Sequence, residues 1–245
     1  MKFLKQLVEE IKPEEVKLNI KYHTELNPAL WNGITPKPEV QEKLEEIANI
    51  FIKFLNIPDL TVVDIVLTGS AANFNYTAQS DIDLHIEADL DKLHKTCGRV
   101  VITELLAMKK IAWNDMHDIK IRGFAVELYT QDEKEKHTST GIYSLKNKKW
   151  IIKPTHQEPK IDHNAVKNKA AHLMNEIDNL RNGSVSKLEE IEKLKDKIKK
   201  LRQSGLEKEG EFSVENLVFK TLRNNGYLEK LFDAYTNTID KTLSL

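Results

Sequence analysis

Two aspartates that are two positions apart form the most chemically distinctive pattern in this sequence. Asp81 and Asp83 occur in the segment DIDLHI, in which polar and apolar residues alternate. Side chains two positions apart on a β-strand lie on the same face, so these carboxylates repel each other unless a cation lies between them. Carboxylate oxygens are ligands that suit Mg²⁺ or Mn²⁺. We therefore expect Asp81 and Asp83 to bind a divalent metal ion.

A Gly-Ser pair precedes these aspartates by about ten positions. Gly69 and Ser70 follow the β-branched segment TVVDIVL at 61–67, which predicts a mostly buried strand. Glycine permits close backbone approach, and a helical turn after it would direct N–H groups and the Ser70 hydroxyl at a phosphate. A phosphate cradle beside paired carboxylates is the arrangement that metal-dependent nucleotidyl transfer requires.

A third carboxylate comes from a later predicted strand, residues 119–129. Its even positions 124, 126 and 128 are apolar, whereas Glu127 shares the other face with the small residues Gly123 and Ala125. Those small neighbours leave room for a substrate. We expect Glu127 to act as a third metal ligand or as the base that accepts the proton of the attacking hydroxyl.

His85 and Tyr143 are candidate substrate contacts. His85 shares the acidic strand face and either touches a nucleotide, orients Asp83, or lies at the surface near the end of the strand. Tyr143 belongs to a polar segment that follows the third strand and includes His137, Ser139 and Thr140. That segment either lines a nucleotide or acceptor pocket or only connects two elements.

Lys220 and Arg223 are candidate phosphate ligands in the C-terminal part of the chain. They are three positions apart, so they lie on one face of a predicted helix. Two cations on one face suit a triphosphate. The alternative is ordinary solvation of a helix surface.

An α/β (α+β) domain is predicted to position the strand residues. Apolar residues at 40, 44, 47, 51 and 55 predict an amphipathic helix that begins with Pro38 in its first turn. Residues from about Leu90 to Lys110 predict a second helix, with Leu93, Val100 or Val101, Leu105 and Met108 buried. The order strand, helical turn, strand, helix, strand indicates a mixed sheet with helices against one face.

The predicted catalytic domain spans residues 1–160 and includes an N-terminal helical segment, and residues 161–245 form a C-terminal helical domain. Two apolar stripes, at 166–180 and 188–201, predict an antiparallel helical hairpin with Asn182 and Gly183 between its helices. The segment from Gly205 to Gly210 is expected to end the hairpin. A further helical pattern extends from Val214 to Leu231.

The segment LTGSAANFNYTAQSDIDLHI, with Glu127 on a neighbouring strand, resembles the polymerase-β nucleotidyltransferase superfamily over residues 60–130. Other segments, ITPKPEVQEKL, STGIYSLKNKKW and ENLVFKTLRNNGYLEKL, are similar to predicted nucleotidyltransferases of tailed phages and some bacteria. The resemblance implies a nucleotidyltransferase-type fold, Gly69 and Ser70 as the phosphate turn, and Asp81 and Asp83 as metal ligands. The family usually has aspartate at the third position, where this chain has Glu127.

Composition excludes several classes of protein. The 245 residues include 40% hydrophobic and 31% charged residues, which is typical of a water-soluble globular protein. No apolar run reaches the length of a membrane span, and acidic residues interrupt the first segment before a signal-peptide core, so we expect a cytoplasmic protein. Cys97 is the only cysteine, which excludes an intramolecular disulfide and a cysteine-based zinc site. A net charge of −1 argues against bulk coating of nucleic acid.

Three functions fit these patterns. The leading one is a nucleotidyltransferase that moves a nucleoside monophosphate from an NTP to an acceptor hydroxyl. The acceptor is left open among RNA or tRNA ends, a protein side chain and a small molecule, as is the oligomeric state. The others are a catalytically weak nucleotide-binding module and an antitoxin-like partner that acts through the helical hairpin.

Overall fold

The computed structural model describes residues 10–156, 159–182 and 188–244. These residues fold into two compact units. One unit contains residues 21–156, and the other contains residues 10–20 together with 159–182 and 188–244. Each unit has its own buried hydrophobic core. None of the described helices is long and apolar enough to cross a membrane.

A six-stranded mixed sheet forms the centre of the first unit. The elements in chain order are β1 (Trp31–Asn32), β2 (Thr35–Pro36), α1 (Pro38–Leu55), β3 (Thr61–Thr68), β4 (Ile82–Asp89), α2 (Asp91–Cys97), α3 (Arg99–Met116), β5 (Lys120–Ile121), β6 (Phe124–Asp132), β7 (Ile142–Ser144) and β8 (Lys149–Ile152). The strand order is β5-β6-β4-β3-β7-β8, and β1 and β2 form a separate ladder. Strands β4 and β6 are parallel, whereas the other neighbours in the sheet are antiparallel. The predicted α/β class with a mixed sheet is confirmed.

Helix α1 confirms the prediction from its apolar stripe. It begins at Pro38, whose fixed φ suits the first helical turn, and ends before Asn56, which has a φ of 47°. The buried residues are Val40, Leu44, Ile47, Ala48, Phe51 and Leu55. They pack with the apolar side chains of the central strands and with α3, so α1 covers one face of the sheet.

The prediction of one helix from about Leu90 to Lys110 is wrong in its boundaries and in its buried face. Gly98 has a φ of 85°, so the chain leaves the helical conformation there and separates α2 from α3. As a result, α3 turns a different set of side chains toward the core than one continuous helix would. Four residues of the predicted stripe are exposed: Val100, Val101, Leu105 and Met108. The buried residues of α3 are Ile102, Leu106 and Trp113.

The predicted strand at 119–129 becomes a hairpin. Strands β5 and β6 pair antiparallel across Arg122 and Gly123, both of which have positive φ. That conformation matches the twist of a two-residue hairpin turn. The apolar face of β6 is confirmed, because Val126 and Leu128 are buried.

The second unit consists mainly of four helices: α4 (His163–Asn182), α5 (Leu188–Glu209), α6 (Val214–Asn224) and α7 (Tyr227–Leu243). The predicted helical character of the C-terminal region is confirmed, with the stripes of α4 and α5 in one core. The helical pattern predicted from Val214 to Leu231 is two helices, α6 and α7, which Gly226 separates with a φ of 74°. The sequence predicted that the hairpin ends at Gly205–Gly210, but helix α5 passes through Gly205 and continues to Glu209. A β-carbon at Gly205 would lie 2.5 Å from Oγ of Ser213, so the glycine permits close packing on the start of α6.

Helices α4 and α5 contact each other through Lys197 and Glu176, whose side chains are 2.8 Å apart. A helix of 20 residues is about 30 Å long, whereas a link of five residues spans at most about 20 Å. Adjacent helices joined by so short a link must run antiparallel. The described residues do not include Gly183 of the predicted turn. They also do not include the first nine residues, on which the signal-peptide prediction depended.

Residues 10–20 pack on the helical unit, although the sequence grouped them with the sheet domain. The N–H and C=O groups of Ile11 bond to the side chain of Asn175 at 2.8 and 2.9 Å. Val16 is buried in the helical core. In place of an α-helix, this segment has one 3-10 turn at Pro13–Glu15.

Candidate functional site

The Gly-Ser turn lies directly against the Asp-x-Asp strand. Strand β3 ends at Thr68, and a 3-10 helix over Gly69–Ala72 follows it. Gly69 has a φ of 70°, and a β-carbon on it would lie 1.9 Å from Oδ2 of Asp83. Only glycine satisfies both the backbone conformation and this close approach.

The strand register brings Asp83 beside Glu127. Asp83 pairs with Thr68 on the antiparallel strand β3 and with Glu127 on the parallel strand β6. Paired residues on adjacent strands project from the same face of a sheet. Thr68, Asp83 and Glu127 therefore form a row across three strands. Asp81 is half-buried and precedes the first residue of β4 by one position.

The two faces of this sheet have opposite characters. Leu67, Leu84 and Leu128 are paired neighbours one position away from the row, so they project from the opposite face. All three are buried in the core that includes α1 and α3. The row on the polar face is more accessible, since Asp83 is half-buried and Glu127 is exposed. The sheet thus presents two carboxylates on a face that is partly open to solvent.

A polar network continues along the same face beyond the row. His85 Nδ1 lies 2.7 Å from Oε1 of Gln131, which pairs with Glu87 in the strand register. Gln131 Nε2 lies 3.2 Å from Nε2 of His137, and that nitrogen contacts the Glu87 carboxylate. Glu87 and Gln131 are buried. These contacts hold the polar end of the sheet face together, and no sequence pattern predicted the involvement of Glu87 or Gln131.

His85 is neutral in this network at pH 7. Burial lowers its pKa to about 4, the hydrogen bond with Gln131 opposes the shift, and the nearby His137 and Lys110 add to it. A carbonyl oxygen only accepts, so Nδ1 donates to Gln131 and the other ring nitrogen is unprotonated. His85 is two positions from Asp83, on the same face, where the sequence predicted it.

The loop after the Gly-Ser turn is closed by hydroxyl groups. The Ser70 hydroxyl donates to Oγ of Ser80 at 2.9 Å, and the Thr77 N–H donates to the same Ser80 oxygen at 2.9 Å. Ser80 is buried, whereas Ser70 is half-buried. Ser70 therefore contacts its own loop, and its predicted role at a phosphate requires the hydroxyl to turn toward the ligand.

The segment after β6 folds back onto the Gly-Ser turn. The Gly69 N–H donates to Oγ of Ser139 at 3.3 Å, and Nδ2 of Asn73 donates to the hydroxyl of Thr140 at 2.5 Å. A β-carbon on Gly141 would lie 2.0 Å from the carbonyl oxygen of Ala72. The segment therefore packs beside the Gly-Ser turn, and Gly141 is the sequence signal for that close packing. Its role in lining a nucleotide or acceptor pocket remains a prediction.

Tyr143 does not lie on the polar face. It pairs with Leu67 in the register of β3 and β7, is 3% exposed, and packs edge-on against Trp31 and Trp150. Its side chain belongs to the apolar core, because its strand position has the opposite parity to that of Asp83. We therefore withdraw Tyr143 as a candidate substrate contact.

Lys220 and Arg223 lie on α6 in the helical unit. They are one turn apart, and Arg223 is exposed whereas Lys220 is half-buried. Tyr227, which follows them, is buried and donates its hydroxyl to Asp178 at 2.9 Å. The assignment of Lys220 and Arg223 to a triphosphate remains a prediction.

Asp64 is a further carboxylate on the polar face, but its contacts are those of a structural residue. It is 6% exposed and accepts hydrogen bonds from the Ser144 hydroxyl at 2.8 Å, the Asn147 amide at 3.0 Å and the Ile65 N–H at 2.7 Å. A buried carboxylate with three donors is satisfied within the protein. Asp64 therefore anchors the turn between β7 and β8 to β3.

The donor set around Asp83 suits a hard divalent cation. Asp83 and Glu127 would supply oxygen ligands, and Asp81 would add a third carboxylate next to the strand. Oxygen-only ligands favour Mg²⁺ or Mn²⁺ over softer metals.

Comparison with known proteins gives one weak likeness. No protein-family model matches the chain, and no curated protein sequence matches it significantly. The chain is similar to the structure of a STING-associated CdnE c-di-GMP synthase from Capnocytophaga granulosa, with 13% identity over 87% of this chain and 85% of that chain. The TM-score is 0.25, and a likeness at that level carries no argument about fold or activity. The assignment of the candidate site is therefore supported by the geometry of its residues alone.

Proposed function

We propose that this protein transfers a nucleoside monophosphate from an NTP to an acceptor hydroxyl and releases pyrophosphate. The observation that carries the proposal is the meeting of Gly69, Asp83 and Glu127 at one point of the sheet. The glycine lies against the Asp83 carboxylate, and the strand register places Glu127 beside it. A phosphate-binding turn beside two carboxylates supports transfer to or from a phosphate ester more than any other chemistry.

Each residue has a defined task in this reaction. Gly69 and Ser70 bind the phosphates through the turn, and Asp81, Asp83 and Glu127 hold Mg²⁺ or Mn²⁺. When bound, the metal neutralises phosphate charge and orients the attacking and leaving oxygens. The acceptor oxygen forms a bond to the α-phosphorus, and the bond from that phosphorus to the bridging oxygen breaks. Pyrophosphate leaves with the electron pair of that bond.

Glu127 is either the third metal ligand or the base that accepts the proton of the attacking hydroxyl. Its side chain is exposed, so an acceptor can approach it from solvent. Its pairing with Asp83 in the strand register supports either role. RNA or tRNA ends, protein side chains and small molecules are the acceptor classes to be tested.

Radiolabelled NTPs provide the direct test. The protein is incubated with Mg²⁺ or Mn²⁺ and each acceptor class, using NTP labelled on the α-phosphate and, separately, on the γ-phosphate. Nucleotidyl transfer predicts that only the α-label reaches the acceptor. The variant Asp81→Ala/Asp83→Ala should lose transfer, whereas Asp115→Ala/Asp118→Ala, which removes two exposed carboxylates elsewhere, should retain it.

Two outcomes count against this function. Transfer that persists in the Asp81→Ala/Asp83→Ala variant would remove these aspartates from the reaction. A wild-type protein that binds NTP and metal but transfers no label to any acceptor would favour the nucleotide-binding module instead.

A further inference from the structure

A second group of potential metal ligands lies at the far end of β6. Asp91 and His94 are three positions apart on α2, and Asp132 is the last residue of β6. One ligand atom from each lies within 4.8 Å of the others. Asp132 is five positions beyond Glu127, which corresponds to about 16 Å along a strand. The group is therefore separate from the candidate catalytic site.

The buried carboxylate of Asp132 indicates that this group has a ligand. Asp132 is 3% exposed, and its Oδ1 accepts from the Lys134 N–H at 3.1 Å. Its Oδ2 is buried and accepts no hydrogen bond from any residue in the described parts of the chain. A buried carboxylate oxygen that makes no hydrogen bond is costly.

Neither of the two neighbouring nitrogen-bearing side chains donates a hydrogen bond to this oxygen. His94 Nδ1 lies 3.7 Å from Oδ2 of Asp132, and Arg99 Nη2 lies 3.9 Å away, both beyond hydrogen-bond length. The Arg99 side chain is largely exposed. A metal ion between Asp132 and His94 would contact both atoms directly.

We propose that Asp91, His94 and Asp132 bind a Zn²⁺ ion. One imidazole nitrogen and two carboxylate oxygens form a mixed donor set that suits Zn²⁺ better than the oxygen-only ligands favoured by Mg²⁺. Tetrahedral Zn²⁺ with bonds of about 2.0–2.2 Å needs ligand atoms about 3.4 Å apart, so small side-chain movements bring the three residues into range.

Zn²⁺ binding displaces one existing ion pair. The Lys134 ammonium contacts the Asp91 carboxylate, and both side chains are about half exposed at that contact. Exposed ion pairs contribute little stability, so the ammonium yields to a divalent ion at low cost. The bound metal joins the start of α2 to the end of β6, and a fourth coordination position remains for water.

Equilibrium dialysis against micromolar Zn²⁺, with bound metal measured by mass spectrometry, tests the site. The measurement is made in the Asp81→Asn/Asp83→Asn background, which removes the proposed catalytic metal ligands. That protein should bind one equivalent of Zn²⁺. The same protein with the further substitution His94→Gln should bind none. His172→Gln is the matched control, because His172 also lies near a carboxylate, Glu176, on a helix surface. The His172→Gln control should still bind one equivalent of Zn²⁺.

Asp132→Asn gives a second test, although removal of this buried charge can alter folding. Circular dichroism checks the fold of each variant, and the melting temperature is measured with and without Zn²⁺. In the Asp81→Asn/Asp83→Asn background, Zn²⁺ should raise the melting temperature of the protein with intact Asp91, His94 and Asp132 and of His172→Gln, but not that of His94→Gln or Asp132→Asn. Absence of Zn²⁺ binding by the protein with intact Asp91, His94 and Asp132, or equal binding with and without His94→Gln, overturns the proposal.

Discussion

The backbone of Gly69 and the carboxylate of Asp83 occupy adjoining space: a β-carbon on the glycine would lie 1.9 Å from Oδ2 of the aspartate. The turn after β3 thus packs closely against β4 at the contact between Gly69 and Asp83. Any side chain at position 69 must displace the Asp83 carboxylate or the turn itself. In the proposed site, phosphate binding at the turn and metal binding at Asp83 would be coupled through this contact.

We predict that Gly69→Ala greatly weakens binding of metal and NTP together while the protein stays folded. The alanine adds a steric conflict with Asp83 to a backbone cost of about 1–2 kcal/mol for a positive φ. Isothermal titration calorimetry with Mn²⁺ and NTP measures the affinity. Gly33→Ala is the control, since Gly33 also has a positive φ but open space around its α-carbon. Equal affinity in both variants would show that the Gly69 contact does not matter for binding.

Glu127→Gln is expected to keep the fold and most of the NTP affinity but to reduce single-turnover transfer by about 100-fold or more, because the amide cannot accept the proton. Glu127→Asp should retain partial activity. Rapid-quench measurement of the chemical step separates this effect from binding. Glu104→Gln, an exposed change on α3, is the control. Unchanged single-turnover rates for Glu127→Gln would exclude Glu127 from the mechanism.

The serines at 70 and 80 should have opposite effects on ligand binding and stability. Ser80 accepts two hydrogen bonds, so Ser80→Ala should lower the free energy of unfolding by about 1–2 kcal/mol. Ser70→Ala removes a single donor and should cost less stability but weaken NTP binding. Urea denaturation and NTP titration of both variants test this. An unaltered NTP affinity in Ser70→Ala would contradict the phosphate role of its hydroxyl.

Asp64→Ala should destabilise the protein by about 2–4 kcal/mol, because it leaves the buried Ser144 hydroxyl and Ile65 N–H without their acceptor. Asp118→Ala, at an exposed ion pair with Lys120, should change the free energy of unfolding by about 0.5 kcal/mol or less. Denaturant unfolding measures both. Transfer activity per folded molecule should be unchanged in Asp64→Ala, and a loss of activity without a loss of stability would give Asp64 a catalytic role.

Alternation and periodicity predicted the parts of this fold in which one face of an element is buried. The stripe of α1 and the apolar face of β6 follow from residue spacing alone, because burial selects one face along the whole element. The sequence also predicted Asp83 and Glu127 on polar strand faces. Their adjacency required the strand order, which no local pattern contains.

Other features depend on single backbone positions or on distant partners. The phase of α3 is set by the positive φ at Gly98, which interrupts a pattern that is otherwise continuous. Tyr143 is buried because β7 pairs with β3 in one particular register. The sequence around Tyr143 could not define that register. A shift of one residue in the strand pairing would move Tyr143 to the opposite face of the sheet.

The parallel pairing of β4 with β6 has a consequence for synthesis of the protein. A nascent chain that has been synthesised only as far as α3 already contains Gly69, Asp81 and Asp83, but Glu127 has not yet been made. Strands β3 and β4 are neighbours in sequence and pair directly, whereas β6 joins β4 only after both helices of the connection are complete. The third carboxylate is thus added last, so an incomplete chain cannot assemble the full site, and proposed turnover begins only once the central strands of the sheet have come together.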